Sequence, residues 1–121
     1  MNVPTDAATL AALDRFSAAF DAHDLDALMA CITDDCVFES TRPPDGERFE
    51  GRVAVRQAWA DLFADSPGAQ FTAEDQFVSG DRAVVLWRYD WSGDHPGHVR
   101  GVDVMTVRGG LVAAKRSYVK G

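Results

Sequence analysis

Cysteine is scarce in this sequence. Cys31 and Cys36 are the only two in 121 residues, too few for a disulfide framework. Their spacing matches neither a redox pair nor a zinc ligand set. Such thiols read as small buried side chains in a reducing compartment. Long apolar stretches are also missing. Runs such as Ala83 to Trp87 fall far short of the roughly 20 residues that a membrane-spanning helix needs. Positive charge is in deficit, with 12 Lys and Arg against 19 Asp and Glu and a net charge of −7. Nucleic acids and anionic membrane surfaces both require clustered cations, so neither is an expected partner. The first residues show no basic region leading into an apolar stretch. No export signal is read there, and the cytoplasm is the expected compartment. Repeats, low-complexity tracts and linkers are absent too. The expectation is one domain over residues 1–121, large enough for one core.

The elements follow from periodicity. Thr5 or Asp6 can cap a first helix, whose stripe Leu10, Leu13, Phe16 and Phe20 runs at spacings of three and four up to about Ala22. Asp24 can cap a second, shorter helix with Leu25, Leu28, Met29 and Ile32 inward, ended by Thr33-Asp34-Asp35. Cys36 to Thr41 reads as a strand, Arg42-Pro43-Pro44-Asp45-Gly46 as a rigid loop, and Phe49 as part of a short return strand. A third helix after Gly51 carries Val55, Trp59, Leu62 and Phe63 on one face and breaks at Ser66-Pro67-Gly68. The period then changes to two. Strands are predicted over Gln70 to Val78, Ala83 to Trp91, His98 to Val107 and Leu111 to Val119, the last pair joined by a Gly109-Gly110 hairpin. Three helices followed by a run of strands indicate an α+β fold with segregated layers. Trp87, Tyr89 and Trp91 share one strand face, and Val84 and Leu86 share the other. With both faces apolar, one is expected to meet the helices and the other a second copy of the chain.

Asp103 is the most informative residue for chemistry. It falls within a predicted central strand, where an Asp is disfavoured. Burial in an apolar hollow favours the neutral form of a carboxyl, which suits a proton donor or acid–base group. The bland alternative is an ion pair with Arg88, Arg100 or Lys115. Asp103, Met105 and Val107 share one side of that strand. Aromatic residues, among them Phe16, Trp59, Trp87 and Tyr89, serve packing first. Helices laid over a curved sheet also leave an apolar pocket in which Trp87 or Tyr89 would offer a donor. His95 and His98 flank a turn with no third ligand nearby, so no metal is expected. A Gly-x-Ser-x-Gly elbow and a phosphate loop are both absent.

Three segments carry a family resemblance. They are Phe16 through Leu28, centred on Asp21-Ala22-His23-Asp24; Thr33-Asp34-Asp35-Cys36-Val37-Phe38-Glu39; and Arg100-Gly101-Val102-Asp103-Val104-Met105-Thr106-Val107 with its Gly109-Gly110 turn. Together they resemble the SnoaL-like and ketosteroid-isomerase-like proteins of the nuclear transport factor 2-like superfamily over roughly residues 6–119. That resemblance implies a cone-shaped barrel, in which three N-terminal helices pack on a strongly bent, mainly antiparallel sheet. It also implies a homodimer through the outer sheet face. Ketosteroid isomerases use an Asp base where Ser40 stands here, a Tyr where Phe16 stands, and a protonated Asp matched by Asp103. SnoaL-type cyclases use an Asp acid–base in the place of Asp103. Epoxide-hydrolase-like members use an Asp-Arg-Asp set, for which Asp103 and Arg88 would serve but a second Asp is lacking.

The expected function is binding of an apolar carbonyl-bearing small molecule. Cofactor-free isomerisation, cyclisation or dehydration would follow, with Asp103 as the acid–base residue. Phe16, Ser40, Trp59, Trp87, Tyr89, His98 and Met105 are the expected pocket residues. Alternatives are a non-catalytic ligand-binding or dimeric interaction module of the same fold, or a cone filled by its own side chains. A cavity of roughly 300 Å³ or more separates the last from the others.

Overall fold

The structure, a computed structural model, describes residues 5–121. Residues 1–4, the start of the stretch searched for an export signal and of the expected 1–121 domain, lie outside the described residues. Helix α1 spans Asp6–Asp21, and the Thr5 side chain caps it by accepting from the Ala8 N–H at 3.1 Å. Its buried face is Thr9, Ala12, Leu13, Phe16, Ala19 and Phe20. Leu10, expected in that stripe, is 38% exposed. The helix is turned by contacts at its first turn. Thr9 Oγ1 donates to the Gly80 carbonyl, and Asp6 accepts from the Gly80 N–H at 2.8 Å. Helix α2 spans Leu25–Met29, capped by Asp24 on the Ala27 N–H at 3.1 Å.

Strand β1 runs Ile32–Glu39, four residues earlier than expected. Thr33-Asp34-Asp35 does not end α2. It forms an irregularity inside β1, where the register against the neighbouring strand shifts between Ile32 and Val37. Thr33 donates to Asp35 at 2.8 Å, and Arg108 also pairs with Asp35, so the acidic pair is held in an extended strand. Strand β2 (Arg48–Glu50) returns along β1, and helix α3 (Arg52–Asp65) follows. Gly51, at φ +84°, turns the chain between them. The second half supplies β3 (Gln70–Ser79), β4 (Arg82–Trp91), β5 (Gly97–Arg108) and β6 (Leu111–Val119).

The six strands form one sheet in the order β2-β1-β6-β5-β4-β3. Every pairing is antiparallel except β1 with β6. This is the expected α+β architecture, three helices on a mainly antiparallel sheet. The sheet is not closed, since β2 and β3 are its two free edges. Register shifts in β1, in β3 between Ala73 and Asp75, and at Thr106/Val107 lie along it. Such irregularities bend and twist strands, which lets six of them curve around the helices. The core between the layers gathers Leu13, Phe16, Leu28, Val55, Trp59, Met105 and Val112. No helix among the described residues is long and apolar enough to cross a membrane.

Candidate functional site

Strand parity decides what faces the helices. On β4, Ala83, Val85 and Trp87 are buried and face inward, with Tyr89 and Trp91 on the same side nearer the open end. Their partners on β5 are Met105, Asp103, Gly101, Val99 and Gly97. On β6, Ser117 lies opposite Asp103 and Lys115 opposite Met105. Gly101 is required at its place. A Cβ there would stand 2.4 Å from Trp87 Cζ2 and 2.4 Å from the Tyr118 carbonyl oxygen.

Three polar side chains meet on this inner face. Asp103 is 8% exposed and Lys115 is 6% exposed. Ser117 Oγ donates to Asp103 Oδ1 at 2.7 Å and accepts from Lys115 Nζ at 3.0 Å. Lys115 Nζ stands 3.3 Å from Asp103 Oδ2. The ammonium also lies 5.0 Å from the centre of the Phe38 ring and 5.2 Å from that of Phe20. A charge in this position is tolerated because a carboxylate, a hydroxyl and two ring faces replace its water.

Two spaces adjoin the cluster. A narrow pocket of about 50 Å³ is lined by Phe16, Phe20, Asp21, Asp103, Met105 and Lys115, among others. A larger open cleft of about 580 Å³ includes Phe38, Ser40, Phe49, Tyr89, Lys115 and Ser117 in its walls, and Arg42, Glu47, Asp61 and Asp65 also line it. Phe20, Phe71, Trp87 and Lys115 border both spaces. The cleft is of the size of small-molecule sites, which begin at roughly 300 Å³. Asp103 borders only the narrow pocket, and Lys115 and Ser117 stand between it and the cleft.

The expected pocket residues separate into groups. Phe16 and Met105 line the narrow pocket, Tyr89 and Ser40 line the cleft, and Trp87 lines both. Ser40 Oγ accepts from the backbone N–H of Glu47 at 3.0 Å and of Arg42 at 3.4 Å, which folds the Pro-Pro loop back on its strand. Trp59 is fully buried against Phe16, Phe20 and Phe38 and borders neither space. Its indole Nε1 and that of Trp87 are buried without an acceptor. His98 is on the other side of the sheet. It pairs with Asp90 in register and sits 3.4 Å from Arg100. The expectation of His98 as a pocket wall fails because its parity is opposite to that of Asp103. The same parity removes Arg88 and Arg100 as partners of Asp103. Arg88 holds Asp90 at 2.9 Å and Arg100 holds Glu74 at 2.8 Å, both on the outer face.

Lys115 and Ser117 are the residues that sequence reasoning undervalued. A lone Lys at an inward position of a closing strand is the signal that marks them. Asp21, at the last turn of α1, also borders the narrow pocket, and partial burial raises its pKa against the opposing pull of His23. Burial pushes the Cys36 thiol up to about 11 and raises Cys31 as well, so neither is an activated nucleophile.

The family of SnoaL-like domains matches residues 13–115. A nuclear transport factor 2-like protein of unknown function from Mesorhizobium loti is 43% identical, covers 96% of this chain and 93% of its own, and superposes with a TM-score of 0.84. A candidate ketosteroid isomerase from Kribbella flavida is 21% identical over 98% of this chain and 82% of its own, with a TM-score of 0.81. A candidate SnoaL-like polyketide cyclase from a Jannaschia species is 19% identical over 99% and 90%, with a TM-score of 0.83. At these last two identities the likeness is one of fold. No curated protein matches the chain. The match over most of the length, the 43% identical relative and the observed α+β architecture agree, and the chain belongs to the SnoaL-like domain family.

Proposed function

We propose that this chain, as one domain over residues 1–121 and in the cytoplasm, binds an apolar carbonyl-bearing small molecule in the 580 Å³ cleft. It catalyses cofactor-free proton transfer there: isomerisation, cyclisation or dehydration. Asp103 is the acid–base residue. The carrying observation is the buried Asp103–Ser117–Lys115 cluster at the inner end of an aromatic-walled cleft. The carboxyl reaches the ligand through the narrow pocket, whose 50 Å³ admits a water or the tip of a ligand. Lys115 and Ser117 orient the carboxyl, and Phe20, Phe71, Trp87 and Tyr89 supply apolar walls.

The family supports this reading in kind, through relatives described as a candidate isomerase and a candidate cyclase. A second reading, a binding module without catalysis, is favoured by one observation: Asp103 is already partnered and set back from the cleft. On either reading we propose that a second copy of the chain covers the outer sheet face.

A thermal-shift panel of hydrophobic ketones, steroids, terpenoids and aromatic polyketide fragments tests the binding. A ligand at about a hundred times its Kd adds about 2.7 kcal/mol, a shift of several degrees. Turnover of the best ligand is then compared with Asp103→Asn. Asn retains an acceptor for Ser117 but no acid–base capacity, so activity is expected to fall about 10²- to 10⁴-fold with binding retained. Unchanged turnover would falsify the role of Asp103, and a flat panel would remove the small-molecule reading.

A further inference from the structure

Lys115 is the least expected group on the inner face. The chain has two lysines, and the side chain of this one is 8% exposed. An ammonium carries three donors. Ser117 Oγ accepts one at 3.0 Å, and Asp103 Oδ2 stands at 3.3 Å. The latter exceeds the roughly 2.7–2.9 Å of a tight charge-assisted bond. Of the groups facing its ammonium, Phe20, Phe38 and Ser117 line the cleft, as Lys115 does, and the Asp103 carboxylate does not. One donor has no protein acceptor among the described residues.

The rest of the cleft carries the opposite sign. Asp61 and Asp65 of α3 line it, while Glu47 is paired with Arg42 at 3.5 Å. On a chain of net charge −7 this arrangement repels polyanions. A ligand suited to both regions is apolar and neutral on arrival. It carries one oxygen that becomes anionic only beside the ammonium.

We propose that Lys115 is the oxyanion receptor of the cleft, and that the ligands are apolar compounds with one weakly acidic oxygen, an enol or a phenol. This rests on the small-molecule reading of the cleft given under Proposed function. The proton of the acidic group passes to the Ser117 hydroxyl, which lines the cleft, as the Ser117 proton passes along its existing hydrogen bond to the Asp103 carboxylate. The bonding electrons stay on the ligand as an enolate or phenolate. Lys115 keeps its protons and exchanges one anionic partner, Asp103, for another, the ligand oxygen. The buried charges remain one positive and one negative, so no further ion is taken out of water during the step.

The test uses 2-naphthol, its methyl ether and 2-naphthoate as probes of one shape. Wild-type protein is expected to bind the naphthol about tenfold or more tightly than the ether. The bound naphthol is expected to show the absorption of naphtholate at neutral pH, where the free compound is neutral. Lys115→Met keeps an apolar side chain of similar length. It is expected to bind naphthol and ether alike, without the naphtholate band. Should that variant fail to fold, Lys115→Gln, which removes the charge but keeps a polar donor for Ser117 and leaves Asp103 as the proton acceptor, gives the same comparison. A naphtholate band that survives loss of Lys115 overturns the proposal. Tighter binding of naphthoate than of naphthol overturns the enol or phenol class in favour of ready-made carboxylates. Equal wild-type binding of naphthol and ether, with no naphtholate band, removes the receptor but leaves the cleft as a site. Failure of all three probes to bind removes both readings.

Discussion

Asp103 shows how much one residue can reveal and conceal. Its place in a central strand marks it in the sequence, because an Asp there is disfavoured unless something holds it. What holds it is Lys115, 3.3 Å away, with Ser117 bonded to both. The sequence offers three basic candidates, and only parity across three strands chooses among them. Removing one member of a buried pair leaves the other charge uncompensated, whereas removing both can be nearly neutral. Lys115→Met is therefore expected to lower stability by about 3–5 kcal/mol, and Lys115→Met with Asp103→Asn by far less. Urea denaturation of the two variants checks this. Equal losses would mean that the charges are not coupled. Trp59 teaches the opposite lesson. A large aromatic at helical spacing is consistent with core and with pocket alike, and here it is fully buried core.

At the scale of elements, turn and cap chemistry was legible and strand beginnings were less so. Thr5 and Asp24 cap their helices as the sequence implies, and Gly109-Gly110 turns the last hairpin with both φ angles positive. Two adjacent acidic residues read as a solvated turn, yet Asp34-Asp35 lies in β1, where Thr33 of the same strand and Arg108 of β5 hold Asp35. The pairing of β1 parallel to β6 is a long-range choice that no local pattern carries. Of the two strand glycines, Gly101 is the more tightly enclosed. Gly101→Ala would drive a methyl into Trp87 and into the Tyr118 backbone. It should cost about 1–3 kcal/mol or more, seen as a drop of several degrees in Tm. An unchanged Tm would show that β5 can shift without loss.

The surface ion pairs also belong to this scale. The hydrogen bond from Arg108 holds Asp35 below the usual carboxylate range, and the bond from Arg100 does the same for Glu74. A carboxyl whose folded pKa is depressed stabilises the fold above its ordinary value. That contribution is lost as pH falls through the lowered value. Asp21, raised by burial, acts in the opposite sense, with a contribution lost as pH rises through its folded value. With two depressed groups against one raised, Tm is expected to fall on acidification below about pH 4, less steeply in salt. Arg108→Gln combined with Arg100→Gln should flatten that slope, and an identical slope in the variant counts against the pairs.

For the whole molecule, the outer face of the sheet is the surface that calls for a partner. Phe77 is 57% exposed, Tyr118 54% and Leu86 39%, and Val84, Val102 and Val104 share their face. A contiguous apolar face of this kind favours a covering partner. Light scattering after gel filtration is expected to give a dimer, and Leu86→Glu a monomer. A wild-type monomer across a hundredfold range of concentration would dismiss the second copy.

Composition and local pattern carry the class of fold, the helix caps and the strand-rich second half, and they mark Asp103 as an unusual residue for a central strand. Those rest on local spacing, turn residues and propensity, which neighbouring residues carry between them. The tertiary structure decided that Asp103 faces inward, that Lys115 and Ser117 stand between it and the cleft, and that His98 faces out. Those facts depend on registers between strands far apart in the chain, and a shift of one residue would reverse every one of them.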